Sequence, residues 1–196
     1  MNWRVFKMKS EYERMIKNAF PKQLQSDVDA VIQILPLADE NPICGSYPLI
    51  VSSWQIRLED EFLTVPYRIY FNEPELDLES TLNERQTDIL NCIYSRHHNG
   101  YVRAKRLKRI SDHAENWTVP FVIQLLGEYV WELFPIINTK INESTLHFYK
   151  DFRLENPTYW RLLESRVVSY WNEYYRDSFP KWENYFGNQV LHRINQ

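Results

Sequence analysis

Residues 50–71, IVSSWQIRLEDEFLTVPYRIYF, decide the fold class, because they are the one stretch of the sequence that predicts β-structure. Apolar and polar residues alternate over 54–58, and residues 62–70 are rich in the aromatic and β-branched types that strands favour. The acidic triplet 59–61 separates the two runs, so we expect an antiparallel hairpin. Pro66 has no amide hydrogen, which places the second strand at a sheet edge or at a bulge.

Helices are expected on both sides of the hairpin. Before it, apolar residues recur at three- and four-residue spacing over 8–19 and over 23–34, and the second stretch ends before Pro36. A two-stranded hairpin is only marginally stable in water by itself. We therefore expect the hairpin to pack against helices.

After residue 80 the sequence predicts mainly helix. Asn83 and Gln86 form a capping pattern at the start of a helix that ends at Asn99 and Gly100. Three further helices are expected, over 101–110, 119–134 and 157–176. The second of these three is apolar nearly all round, so we expect it to be the most buried element of the fold.

Together these elements predict an α+β fold that is mainly α, with one small antiparallel hairpin near residues 50–71. No stretch rich in proline, glycine and serine divides the chain as a linker does. We therefore expect a single domain over 1–196. In this domain residues 1–80 form a mixed layer of helices and hairpin, and residues 81–196 form a helical body.

Composition narrows the class of protein. The 196 residues carry a net charge of -3 and 44% of them are hydrophobic, as in a globular chain. Only four residues are glycine, which disfavours the glycine-rich phosphate loops of nucleotide-binding folds. Without a secretory signal or an apolar run of about eighteen residues, we expect a soluble cytoplasmic protein with no membrane contact. Cys44 and Cys92 are interpreted as free thiols in a reducing compartment.

The sharpest local feature of the sequence is basic. Residues 96–109, RHHNGYVRAKRLKR, contain six lysines and arginines and no acid. In a helix over 101–110 the spacing places Arg103 and Arg106 outward, where they can follow phosphate groups. His97 and His98 lie at a helix C-terminus, whose dipole favours their protonated form. The candidate anion-binding residues are therefore Arg96, His97, His98, Arg103, Arg106 and Arg109.

Two other interpretations of the basic stretch stay open. It can be the solvated face of a helix that buries only Ala104, Leu107 and Ile110. It can also be neutralised by acids, since residues 59–79 hold seven acids against the single Arg68. These acids are Glu59, Asp60, Glu61, Glu73, Glu75, Asp77 and Glu79. They can meet the basic residues within one monomer or across a homo-oligomer, and either pairing leaves nothing for phosphate.

Two stretches of the chain carry a resemblance. Residues 96–103, RHHNGYVR, and residues 120–130, PFVIQLLGEYV, resemble a pattern of uncharacterised bacterial proteins. The resemblance covers residues 84–138 and implies no activity.

Evidence for catalysis or for a metal is weak. His97 and His98 are adjacent, and neighbouring side chains of a regular helix diverge by about 100 degrees, so we expect no metal site and no cofactor. Glu128 could exchange a proton with either histidine as an acid–base pair. It is more simply explained, together with Gln124 and Glu132, as part of a solvent-facing polar stripe on one helix.

Aromatic residues make up 15% of the chain and are concentrated after residue 143. At helical spacing most of them are expected in the core, and the surplus is expected to form a protein interface or a small-ligand platform.

The leading functional hypothesis is a non-enzymatic interaction module with separate acidic (59–79) and basic (96–109) surfaces. Its partner is a protein or a second copy of the chain. The alternative is nucleic-acid or phosphorylated-ligand binding through the helix over 101–110. An enzyme with a histidine–glutamate pair comes third.

Overall fold

A computed structural model describes residues 3–37, 48–112 and 115–196 of the chain. The fold is α+β and mainly α, which confirms the predicted class. The chain divides into two compact units, Met1–Ile110 and Ser111–Gln196, here called the N-terminal unit and the C-terminal unit. A single domain over 1–196 stays a prediction.

In its described residues, 3–37 and 48–110, the N-terminal unit combines α-helices with the hairpin. In chain order its elements are α1 Trp3–Lys17, α2 Gln25–Ile34, β1 Ile50–Leu58, β2 Glu61–Ile69, α3 Leu76–Glu79, α4 Glu84–Tyr94 and α5 Gly100–Arg109. Helix α2 packs against α1 and α4, α4 packs against α5, and α1 contacts β2. The hairpin therefore packs against helix α1, in line with the expectation that it packs on helices.

Strands β1 and β2 pair antiparallel, with Ser53 opposite Pro66 and Leu58 opposite Glu61. The two-residue turn between them holds Glu59 in the left-handed region at φ 54°. The prediction of a two-stranded hairpin lacks one element. The backbone of His97 forms a parallel bridge with Ile69 at the end of β2. The segment between α4 and α5 is thereby fixed to the sheet.

Two asparagines cap the helices that carry the basic stretch. Asn83 and Gln86 form the predicted capping box at the start of α4. The side chain of Asn99 accepts a hydrogen bond from Tyr101 N (2.9 Å) and begins α5. Gly100, expected to end a helix, is instead the first residue of α5.

The C-terminal unit is helical in the part that the structure describes. Its helices are α6 Val119–Ile123, α7 Leu133–Lys140, α8 Leu146–Glu155, α9 Pro157–Tyr170 and α10 Phe186–Asn195. A π-helical turn, Trp171–Tyr175, follows α9 directly, so that helical structure covers most of the predicted range 157–176. Among the described residues, no helix is long and apolar enough to cross a membrane.

The prediction of one continuous helix over 119–134 is wrong. Helix α6 tightens into a 3₁₀ turn over 124–127, and Glu128 is extended, with φ -121° and ψ 160°. The reason lies at Gly127, where an added Cβ would stand 2.9 Å from Cδ1 of Leu163. The backbone approaches α9 closely at this glycine, and the helix ends there.

The solvent-facing stripe predicted for the same segment is also wrong. Gln124 and Glu128 are buried, and only Glu132 is exposed. The break after Gly127 changes the helical phase, so a spacing of four residues no longer places these side chains on one face.

Candidate interaction site

The structure places most of the predicted anion-binding residues inside the N-terminal unit. Arg96, His97, Arg103 and Arg106 are buried, His98 is half-buried and Arg109 is exposed. The prediction that Arg103 and Arg106 point outward is therefore wrong. The helical spacing correctly predicts that the two arginines are neighbours on α5. It gives no information about their hydrogen-bond acceptors, which lie inside the same unit, and the side chains therefore turn inward.

Arg103 binds the backbone of the segment that joins α4 to α5. Its Nη1 donates to the carbonyl oxygens of His97 (2.7 Å) and His98 (2.9 Å). The same segment is held to β2 from the other side, since Ile69 N donates to Arg96 O and His98 N donates to Ile69 O, each at 3.0 Å. The guanidinium of Arg103 thus orders a loop, which is a structural role.

The two histidines are packed together beside the sheet. Their ring centroids are 4.3 Å apart, and the His98 ring stacks on Tyr70 at 5.4 Å. Nδ1 of His97 accepts a hydrogen bond from Asn99 N (3.1 Å). This bond requires an unprotonated Nδ1.

Burial and neighbouring cations lower the pKa of both histidines. Burial is the main cause of the pKa of about 4 for His97, and His98 and Arg103 lower it further, while the Phe71 backbone and Glu73 act in the opposite direction. Burial, then Arg103 and Arg68, lowers the pKa of His98. The histidines are therefore neutral near pH 7, contrary to the expectation from the helix dipole.

Arg106 joins two glutamates from a different part of the unit. Its side chain is 1% exposed, and Nη2 lies 2.5 Å from Glu73 Oε1. Nη1 donates to Glu79 Oε2 at 3.0 Å, and Nη2 donates to Glu79 Oε1. The guanidinium also lies over the Tyr94 ring, 5.1 Å from its centroid. We call Arg106, Glu73 and Glu79 the arginine clamp.

The charges of the clamp stabilise one another. Burial by itself raises the pKa of Glu73, but the hydrogen bonds and charges of Arg106 and Lys105 outweigh it, so that the pKa is lowered. Lys105 Nζ lies 3.1 Å from Glu73 Oε1, and Arg109 Nη1 lies 3.5 Å from Glu79 Oε2. Neutralisation of the basic stretch within the monomer is thus confirmed for two of the seven acids.

The clamp holds both ends of a short exposed segment, residues 73–79, here called the clamped loop. Within it Leu76 is 70% exposed and Leu78 is 42% exposed, and Glu75 and Asp77 are exposed as well. Hydroxyl hydrogen bonds close the C-terminal end of α3, from Ser80 to Asp77 O and from Thr81 to Leu78 O, each at 2.7 Å. The loop is ordered, yet it presents leucines and acids to the outside.

The sequence indicates that acids pair with the basic stretch, but it does not indicate that the two leucines are exposed. The excess of acids before the basic stretch pointed to internal pairing. Two leucines separated by one aspartate follow no strand or helix pattern long enough to show that Leu76 and Leu78 stay exposed.

The described residues add no support for catalysis or metal binding to that from the sequence. Within residues 3–37, 48–112 and 115–196, no group of three or more histidines, cysteines, aspartates or glutamates could hold a metal ion. Cys92 is a buried free thiol whose pKa is raised by burial, and Cys44 lies outside the described residues. Glu128 belongs to the C-terminal unit, and its pairing with His97 or His98 stays a prediction.

The C-terminal unit carries a second exposed feature, an aromatic surface formed by Tyr129, Trp131, Tyr170 and Tyr174. The ring of Tyr129 lies 6.0 Å from that of Tyr170 and 5.6 Å from that of Tyr174. Tyr129 and Tyr174 are each 58% exposed, and Trp131 is exposed too. Of the other aromatic residues after residue 143, only Tyr149, Phe152, Trp160 and Tyr185 are buried and the rest are half-buried, so the expectation that most of them lie in the core is met only in part.

Comparison of the chain with protein-family models, with curated proteins and with solved structures gives no match.

Proposed function

We propose that the protein is a non-enzymatic interaction module and that the clamped loop is the element it presents to a protein partner. The observation that carries the proposal is the arrangement of the arginine clamp. One buried guanidinium binds the carboxylates at the two ends of residues 73–79, while Leu76 and Leu78 between them stay exposed.

An ordered loop suits binding for a thermodynamic reason. Immobilising a flexible segment on association costs about 0.5–1.5 kcal/mol for each side chain that is fixed. The clamp fixes the backbone of the loop before a partner arrives, so less of that entropy is lost on binding. Burying the exposed leucine side chains in a partner contributes about 1.5–3 kcal/mol for each one that is fully buried.

The partner is defined by the chemistry of the loop. Leu76, the more exposed of the two leucines, requires an apolar pocket, and Glu75 and Asp77 beside it favour lysines or arginines at the rim of that pocket. Leu78 lies on another side of α3 and contacts the edge of the partner. A phosphate ligand at the basic stretch is the weaker alternative, because its candidate arginines Arg96, Arg103 and Arg106 are buried and Arg106 is occupied by glutamates. The cytoplasm is the location that goes with this proposal.

Capture of a partner from a lysate of cells that express the protein tests the proposal. The matched pair is Leu76→Ser/Leu78→Ser, which removes the apolar side chains, and Phe62→Ser, which removes an equally exposed apolar side chain from β2. We expect the wild type and Phe62→Ser to retain the same protein and the double variant to lose it. Equal capture by all three proteins contradicts the proposal.

A further inference from the structure

The aromatic surface of the C-terminal unit is built on rigid supports. The hydroxyl of Tyr175 donates to Tyr129 O, which fixes the backbone beneath the exposed Tyr129 ring. The ring of Trp131 stacks on Phe179 at 5.3 Å and meets Phe134 edge-on at 5.5 Å. The Trp131 ring and the backbone of Tyr129 are therefore held in place before any ligand binds, which reduces the entropy lost on binding.

The π-helical turn after α9 contributes to this arrangement. Tyr170 and Tyr174 lie 6.0 Å apart at ring centroids, and both contact Tyr129. Tyr175, the next residue, packs instead against Trp131 and Phe134. Tyr174 thus belongs to the exposed surface, whereas Tyr175, the next residue, belongs to the packed residues that support it.

Acidic side chains accompany the rings. Glu132 follows Trp131 and Glu173 precedes Tyr174, and both glutamates are exposed. The charge of Glu132 reaches the residues that support this surface: after burial, the larger cause, it raises the pKa of Tyr175. Two arginines lie near this surface: Arg176 is engaged with the Trp171 ring at 5.6 Å and with Asn172 Oδ1 at 2.9 Å, and the side chain of Arg166 packs against Gly127. Ring faces and carboxylates together favour a cation.

We propose that the aromatic surface of Tyr129, Trp131, Tyr170 and Tyr174 binds an arginine-bearing segment of a protein partner. A guanidinium stacks flat on an aromatic ring and at the same time donates to a carboxylate, which an ammonium does less well. The placement of Arg176 over Trp171 shows the same contact within this unit. Phosphates and acidic peptides are repelled by Glu132 and Glu173. This proposal does not rest on the clamped loop.

Fluorescence anisotropy with the full chain tests the proposal. The probe is a fluorescein-labelled peptide of three arginines separated by glycine and serine, and the matched peptide carries neutral citrulline in place of arginine. We expect saturable binding of the arginine peptide and binding at least about tenfold weaker for the citrulline peptide. A lysine peptide is expected to bind more weakly than the arginine peptide.

Variants assign the binding to the rings and carboxylates. Tyr129→Ser/Tyr174→Ser is expected to weaken binding about tenfold, whereas Tyr129→Phe/Tyr174→Phe keeps the ring faces and retains it. Glu132→Gln/Glu173→Gln is expected to weaken binding and to reduce its dependence on salt. Tyr101→Ser removes a largely exposed tyrosine of the N-terminal unit and serves as the control.

Three results overturn the inference. The first is that the wild type shows no saturable binding up to about 1 mM peptide. The second is that the arginine and citrulline peptides bind equally well. The third is that Tyr101→Ser weakens peptide binding as much as Tyr129→Ser/Tyr174→Ser does. Leu76→Ser/Leu78→Ser is expected to leave peptide binding unchanged, because neither leucine belongs to the aromatic surface. Failure here is thus distinguished from failure of the clamped loop, which lysate capture measures.

Discussion

Arg106 and Glu79 are 27 residues apart in sequence, and two hydrogen bonds join one guanidinium to one carboxylate. The same guanidinium binds Glu73, so a single buried arginine fixes both ends of the clamped loop. Because breaking a buried ion pair leaves an uncompensated charge, it destabilises a protein by several kcal/mol. The clamp is therefore a structural requirement of the N-terminal unit as well as the support of its proposed binding element.

Removing the arginine of the clamp is expected to destabilise the protein. Arg106→Ala leaves Glu73 and Glu79 without their main partner, and we expect the free energy of unfolding to fall by about 2–4 kcal/mol. Arg109→Ala removes an exposed arginine 3.5 Å from the same Glu79, and its effect is expected to be within about 1 kcal/mol. Urea denaturation of the two variants measures both values. Equal effects contradict the assignment of the clamp to Arg106.

The clamp is also expected to govern the order of the loop. In Arg106→Met the amides of residues 76–80 should exchange with solvent faster than in the wild type, while the amides of α4 stay protected. Hydrogen-exchange mass spectrometry measures this difference. Arg57→Ala, which removes an exposed ion pair with Asp60, provides the control and should leave the loop unchanged. Wild-type exchange rates in Arg106→Met are the contrary result.

Much of this architecture follows from the sequence. The change of period over 50–71 correctly located both strands, and Asn83 with Gln86 formed the capping box that their spacing predicts. These features depend on residues close together in the chain. The direction of Arg106 was predicted wrongly because it depends on Glu73 and Glu79, which only the fold brings close. That of Arg103 was predicted wrongly because its acceptors are backbone carbonyls of the preceding loop, which helical spacing does not reveal. The break at Gly127 likewise depends on the approach of α9.

His97 is expected to make stability depend on pH. Its pKa in the folded state is about 4, below the ordinary value of 6.5, so the unfolded chain binds the extra proton between these pH values. The contribution of neutral His97 is complete above pH 6.5 and is lost as the pH falls through about 4, with a slope of at most about 1.4 kcal/mol per pH unit. His98, Arg103 and Glu73 are the charged or titratable groups that act on its ring.

Urea denaturation across this range checks the prediction. In His97→Gln the titrating group is absent, so the free energy of unfolding should vary less with pH between 6.5 and 4 than in the wild type. His147→Gln removes an exposed histidine and should follow the wild-type curve. Identical slopes for the wild type and His97→Gln mean that burial of His97 does not control this dependence.

The closest glycine contact in the C-terminal unit gives a packing prediction. An added Cβ at Gly187 would lie 2.6 Å from both the Tyr185 ring and Cγ1 of Val167, which are themselves buried. Gly187→Ala is therefore expected to destabilise the protein by about 1–3 kcal/mol, despite the better helix propensity of alanine. Gln189→Ala, an exposed position of α10, should change stability by less than about 0.5 kcal/mol. Thermal denaturation that ranks the two variants in the opposite order contradicts this packing.

Site-specific photo-crosslinking tests the central claim most directly. A benzoylphenylalanine introduced at the exposed position of Leu76 lies at the centre of the clamped loop, and the same residue at the position of Phe62 serves as the control on β2. In cells that express the protein, we predict one discrete adduct from the Leu76 position, its loss when Arg106→Met is added, and no such adduct from the Phe62 position. The same adduct from both positions, or none from the Leu76 position, contradicts the account.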